Sequence, residues 1–246
     1  MDWKFAIIAA AIIAFEPKLI LNSLIGTPES LYIFLISIML WLFFSKKHYN
    51  IYISFLILGL ISLVRYEGLL LLIPISFIYF VRFRKEKKNL IKYIICIGIF
   101  ILITLPVANI RNETVGSDGL ITHVSAGPLY IQKISEESEF NIQEFIIDGI
   151  KNLIKLLGWT QIPFYIIFIP LGILIMLKKI DFKILTVILV TFTILIPAFY
   201  AYLRGFEEIK YLLPLYPIFA IVSGYAIQKF FEKINKRKIL LIIIFT

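Results

Sequence analysis

Chemistry-bearing side chains are scarce in this sequence. The 246 residues include one cysteine and two histidines. A single cysteine cannot close an internal disulfide, and with two scattered histidines it cannot complete a zinc or redox motif. No P-loop, HExxH, GxSxG or EF-hand spacing occurs, so no metal site and no cofactor is expected, and any metal ligands would be acidic. Period-two alternation is missing from the apolar runs, which also exceed a strand's usual length, so the sequence gives little support to a membrane β-barrel. No period of 20–50 residues recurs, which excludes a repeat array.

Apolar residues are abundant instead. They make up 60% of the chain, against the roughly 45–50% usual for soluble domains. A soluble fold of this size could not bury that much apolar surface, so the solvent is lipid. The apolar runs are roughly 3–15, 30–44, 51–64, 68–81, 91–109, 162–177, 182–203 and 211–228, with a ninth beginning at Ile239. Backbone groups in lipid must be satisfied within each segment, which favours helices. The sequence therefore predicts one all-α domain over 1–246: a polytopic transmembrane bundle of about 8–9 helices. The first run resembles a signal peptide in length, but Phe15-Glu16-Pro17 is a poor cleavage site, so a retained helix is expected.

The net charge of +9 would suggest a nucleic-acid partner in a soluble protein, but here its distribution explains it. With Met1 in the cytoplasm, segments 1–4, 45–50, 82–92, 178–183 and 229–238 lie inside and hold 17 of the 25 Lys and Arg residues. Every connection then obeys the positive-inside rule, and no nucleic acid is needed. Asn112-Glu113-Thr114 is a glycosylation sequon on the outer side. The longest outer segment, 110–161, opens with a polar stretch carrying the turn signals "VGSDG" and "SAGP". It continues into an amphipathic helix over 141–158, with Ile142, Phe145, Ile146, Ile150, Leu153 and Leu157 on one face. Asn141 and Glu144 have capping-box spacing, and the helix is expected to lie on the outer membrane surface.

Charged residues at outer helix ends are the functional candidates, since charge near the membrane core is costly. Glu29 follows Pro28 at a helix start, where capping alone also accounts for it. Arg65 and Glu67 sit in "ISLVRYEGLLLLIP"; they suit the dipoles of the helices they end and begin, which leaves Gly68 unexplained. Arg111 and His123 lie in the long segment. In "LRGFEEIKYLLPLYP", Arg204 and Lys210 bracket Glu207 and Glu208. Lys210, beside Tyr211, opposes the dipole of the helix it opens, and Pro214 and Pro217 interrupt that helix.

At these stretches the chain resembles the GT-C class of polytopic glycosyltransferases. "SLVRYEGLLLLIP" is similar to the Arg-Pro-Glu-Gly stretch of protein O-mannosyltransferases and of aminoarabinose and dolichyl-phosphate-mannose-dependent transferases, with Tyr66 in place of proline. "TPESLYIFLISIMLWLFF" resembles their helix with a small-residue and Glu start. "EEIKYLLPLYPIFAIVSGYAI" resembles their late Arg-Tyr helix, with Lys210 in place of arginine. The resemblance implies a hexosyltransferase that uses a polyprenyl- or dolichyl-phosphate sugar on the outer, lumenal face. It implies Arg65, Glu67, Glu29, Arg204, Lys210 and Tyr211 as substrate-binding residues. The class carries its catalytic acid in the first outer loop, but here that loop is only Glu16–Glu29. The base is therefore expected upstream, and the chain is expected to be an internal part of a longer enzyme or a split or degenerate copy, with a possible partner chain supplying missing helices. The alternative is a non-catalytic membrane protein, either an accessory subunit or a carrier of lipid-linked oligosaccharide.

Overall fold

A computed structural model describes residues 2–135, 141–161, 167–178 and 180–233. Every regular element among them is helical. In order these are α1 (Trp3–Ala14), α2 (Pro17–Ile25), α3 (Pro28–Phe44), α4 (Asn50–Val64), a 3-10 helix (Tyr66–Leu71) running into α5 (Leu72–Phe83), and α6 (Asn89–Val115). Then follow α7 (Ile121–Ser135), α8 (Ile142–Gln161), α9 (Phe168–Met176), α10 (Phe182–Leu203), and a second 3-10 helix (Ile209–Leu215) running into α11 (Tyr216–Lys233).

Four helical stretches are long and apolar enough to cross a bilayer: Tyr66–Phe83, Asn89–Val115, Phe182–Leu203 and Ile209–Glu232. The pair α1 and α2, bent by 51° at Phe15-Glu16, makes a fifth if it counts as one span. The apolar runs 30–44 and 51–64 form α3 and α4, which are 17 and 15 residues long, short of the roughly 20 that cross upright. The expected ninth run lies outside the described residues, as do the first residues of the run 162–177.

Local sequence sets the helix ends. Pro28 stands at the first turn of α3, where its missing N–H is harmless. Asp181 caps α10 by accepting the Ile184 N–H at 2.8 Å. Gly26 and Gly116 close α2 and α6 in the left-handed conformation, at φ +73° and +76°. Two segments expected as loops are helical. Residues 17–25 form α2, because Glu16 accepts the Lys18 N–H at 3.5 Å and Pro17 follows at the first position. Residues 121–135 form α7, because Asp118 accepts the N–H groups of Leu120 and Thr122, each at 3.0 Å.

The bundle is centred on α11. Of the α11 span 67% is buried, against 17% of the α6 span, so α6 is peripheral and α11 is the mast. Helices α1 and α9 flank α11, α3–α4–α6 form a row, and α10 joins α5 to α8. Lipid tails are as apolar as leucine, so these contacts rest on close packing more than on water exclusion. Gly172 brings α9 against α11 so closely that a Cβ would lie 2.4 Å from the Val222 carbonyl oxygen.

Contacts sort into two ends. At one, the Arg82 guanidinium donates to the Ser45 carbonyl oxygen at 2.5 Å among the rings of Phe43, Phe83 and Phe182. Phe44 meets Phe182, and Phe5 meets Phe231, at the same end. At the other, α8 lies across α10 and the start of the α11 span. There Tyr216 donates its hydroxyl hydrogen to the Thr160 carbonyl, 3.1 Å, and the Lys18 ammonium donates to the Trp159 carbonyl, 2.7 Å. The side chains split in this way are those that the charge pattern assigns to opposite sides.

Helix α8 presents three faces. Phe145, Gly149, Leu153, Leu156 and Thr160 turn toward the protein and are partly or fully buried. Ile146, Ile147, Ile150 and Ile154 form an exposed apolar stripe. Glu144, Asp148, Lys151 and Lys155 form an exposed charged one. At about 100° per residue the three faces divide the circumference roughly equally. Asn141 accepts from the N–H groups of Gln143 and Glu144, which is the forward half of a capping box.

Candidate functional site

Both spans that begin in a 3-10 helix bring their starts to one place. Runs of 3-10 helix beyond three or four residues are uncommon, and mid-span stretches often mark functional positions. The first run covers six residues and the second seven. In the first, Gly68 supplies the reason: a Cβ there would lie 2.8 Å from the Ser62 backbone nitrogen and 2.9 Å from the Ile61 carbonyl carbon. The chain folds back so tightly on α4 that only glycine fits, which is what the charges on either side of it left unexplained. In the second, Pro214 prevents the ordinary helical ladder.

Arg65 leaves α4 in extended conformation, at φ −145° and ψ 128°, which turns its side chain inward. Its Nη1 donates to Glu29 Oε1 at 2.6 Å, its Nη2 to Glu67 Oε1 at 2.8 Å, and its Nε to Glu67 Oε2 at 3.2 Å. Glu67 thus holds the guanidinium by a two-point fork, the stronger geometry for this pair. The three side chains are only 13%, 6% and 9% exposed for Arg65, Glu29 and Glu67. One cation faces two acids, a formal negative surplus. Glu29 Oε2 is buried with no hydrogen-bond partner among the described residues. Breaking such a group by removing one partner costs several kcal/mol, about 3–5.

Beside the trio is a cavity of about 20 Å³, lined by Tyr32, Arg65, Glu67, Thr193, Tyr211 and Pro214 among others. That is room for roughly one water molecule. Tyr32 lies three residues after Glu29, on the same helical face, with the Arg65 guanidinium 5.7 Å from its ring centre. That spacing was the available signal for Tyr32. Thr193 and Pro197 come from the middle of an unbroken apolar run, where sequence gives no signal.

Of the residues expected to bind substrate, the structure gathers Glu29, Arg65, Glu67 and Tyr211. Lys210 sits next to Tyr211 but pairs with Glu208, the residue that precedes the second 3-10 helix. Glu208 meets the dipole that Lys210 alone would oppose. Glu207 pairs with Lys155 of α8 at 3.0 Å. Arg204 stands apart from the acids: its guanidinium lies 4.8, 5.7 and 5.2 Å from the ring centres of Tyr130, Tyr200 and Phe206. His123 meets the ring of Tyr66 at 5.3 Å. No group of three or more metal-binding side chains exists among the described residues.

The apolar helices mark an all-helical integral membrane protein, with a buried ion trio where two interrupted spans begin. Comparison of the chain with protein-family models, characterised proteins and solved structures gives no match.

Proposed function

We propose that this chain is a membrane glycosyltransferase, or part of one, that moves a sugar from a polyprenyl- or dolichyl-phosphate donor to an acceptor on the outer face. The observation that carries the reading is the convergence of Arg65, Glu67 and Tyr211 on one cavity at the starts of two interrupted spans, with Glu29 paired to Arg65. These are the stretches on which the resemblance to GT-C enzymes rests. The bundle has about 8–9 spans with its N-terminus in the cytoplasm. Segment 110–161 is outside, and the three faces of α8 suit a helix lying between protein, lipid and water.

Carboxylates hydrogen-bond sugar hydroxyls, and a fixed guanidinium keeps those carboxylates in place. A base takes the proton of the acceptor hydroxyl. Its oxygen bonds to the anomeric carbon, and the bond from that carbon to the phosphate oxygen breaks with its electron pair left on the phosphate. Outer cations receive that charge. The base comes from outside this chain's own short first outer segment.

The test is a photoreactive polyprenyl-phosphate hexose in phosphatidylcholine vesicles holding the full chain. Cross-links concentrated on residues 29–32, 65–71 and 204–211, and displaced by unlabelled donor but not by polyprenol, are expected. Cross-links spread over the lipid-facing helices and insensitive to the phosphate would defeat the reading.

A further inference from the structure

Proline marks the wall of the cavity twice. Pro197 stands inside α10 and Pro214 inside the second 3-10 helix, and both line it. A proline has no N–H, so the carbonyl that would receive one loses its ordinary donor. In α10 that carbonyl belongs to Thr193, four positions back; in the 3-10 helix it belongs to Tyr211, three positions back. Thr193 and Tyr211 line the same cavity. Residues four apart in an α-helix, and three apart in a 3-10 helix, share a face. Each proline and the carbonyl it frees therefore stand on the face turned to the cavity. The Thr193 hydroxyl does not compensate, since it donates to the Leu189 carbonyl at 2.9 Å.

Charge at the cavity is unbalanced in the same direction. Arg65 and Glu67 line it, and Glu29 is paired to Arg65. One cation and two acids are buried together, so the trio lacks one positive charge. Buried charge is tolerated when it is paired. Arg65 has no more to give, because its three donor nitrogens are committed to carboxylate oxygens. The cavity is thus rich in oxygen, one charge short of neutral, and about 20 Å³ in volume, which admits one particle the size of water.

We infer that this cavity binds one dehydrated monovalent cation, sodium or potassium, between the carbonyl oxygens of Thr193 and Tyr211 and the Glu67 carboxylate. Carbonyl oxygens can replace the hydration shell of such an ion, and those released where a membrane helix is interrupted coordinate sodium. A single added charge brings the trio to neutrality, and two would overshoot. Magnesium would also keep several waters, for which the cavity has no room. Repulsion from Arg65 is offset by the two acids that hold it. Backbone ligands leave no trace in residue identity, so the two prolines are the only sequence sign of them. The site is independent of the sugar-transfer reading, and its test needs no sugar.

Thermal midpoints of the detergent-solubilised full chain are measured in sodium, potassium or choline chloride at one ionic strength. Choline is too large for the cavity. Sodium or potassium is expected to raise the midpoint over choline, saturably, by about 5–10 °C at a hundredfold excess over the dissociation constant. Radioactive sodium is expected to bind at about one ion per chain and to be displaced by unlabelled salt. Pro197→Ala and Pro214→Ala return an N–H to the freed carbonyls, and each is expected to weaken the response by at least about tenfold, the scale of one lost ligand. Glu67→Gln is expected to abolish it; the two proline variants keep helix-forming residues, so a folding failure of Glu67→Gln does not hide the result. Pro106→Ala, inside α6 and away from the cavity, is expected to leave the response unchanged. Equal midpoints in all three salts, which a water molecule in the cavity predicts, overturn the inference. So does a cation response that both proline variants retain, or one that Pro106→Ala loses as well.

Discussion

Arg65 is the residue on which most of its end of the bundle depends. Its three donor nitrogens each meet a carboxylate oxygen, from acids 36 and two positions away in the chain. Replacing it with methionine fills similar space and removes the charge, leaving two buried acids facing each other. Arg65→Met is expected to cost about 3–5 kcal/mol, seen as a lower thermal midpoint of the detergent-solubilised protein. Glu29→Gln removes the acid surplus and keeps a hydrogen-bond acceptor for Nη1, so its loss is expected to be distinctly smaller. Equal losses in the two variants would mean that the trio acts only as packing. The sequence made Arg65, Glu67 and Glu29 visible because charge is rare next to apolar runs. It did not reveal that Glu29 reaches Arg65, since a helix-start acid is equally suited to capping.

The elements divide by how their ends are made. Helix α7 stands on the Asp118 cap. The Thr122 hydroxyl, with the N–H groups of Thr122 and Leu120, holds the Asp118 carboxyl below its usual range. A carboxyl lowered on folding stabilises above its unfolded value, and that stabilisation is lost as pH falls through the folded one. Protection of the amides across 121–135, taken relative to their intrinsic exchange at each pH, is therefore expected to fall as pH drops below the ordinary aspartate range. Asp118→Asn, which keeps a capping oxygen, is expected to flatten that pH response; an unchanged response would assign it elsewhere. Between α9 and α11, Gly172→Ala forces a Cβ against the Val222 carbonyl. A cost of about 1–3 kcal/mol is expected, with faster proteolysis after residue 167; a neutral effect would show that α9 can slide on α11. Most long helices were legible from apolar runs. Helices α2 and α7 were not, because both are short polar-flanked segments whose caps, Glu16 and Asp118, read equally well as loop residues. The interruption at Tyr66–Leu71 was signalled by Gly68, but its cause is a backbone approach that only three-dimensional packing defines.

At the scale of the whole molecule, two sets of contacts occupy opposite ends of the bundle, and the charge pattern assigns a compartment to each. Single cysteines at Ser45 and Lys88, with Cys96 removed, are expected to resist an impermeant thiol reagent in intact cells, whereas one at Ser117 reacts. Labelling at Lys88 without labelling at Ser117 would turn the molecule over and move the ion trio to the cytoplasmic side. The alternation of charge was readable because loops carry it. Which helix would be central was less so: the more apolar α6 is peripheral and the less apolar α11 span is buried, and the partners that bury it lie far away in the chain.

The mast of the bundle is made long after the helix it packs against. The Asp2 backbone N–H donates to the Gln228 side-chain oxygen at 3.0 Å across 226 positions of sequence. At roughly 5–20 residues per second, a ribosome needs on the order of 10–45 seconds to span that interval. Throughout it, α1 has left the ribosome and its final neighbour does not exist. The early spans must wait in the bilayer, held by chaperones of membrane insertion or by one another, until α11 arrives between α1 and α9. Stalling or truncating translation before residue 216 would then release a protein whose first helix is synthesised and inserted but has nothing to lean on, a natural target for quality control.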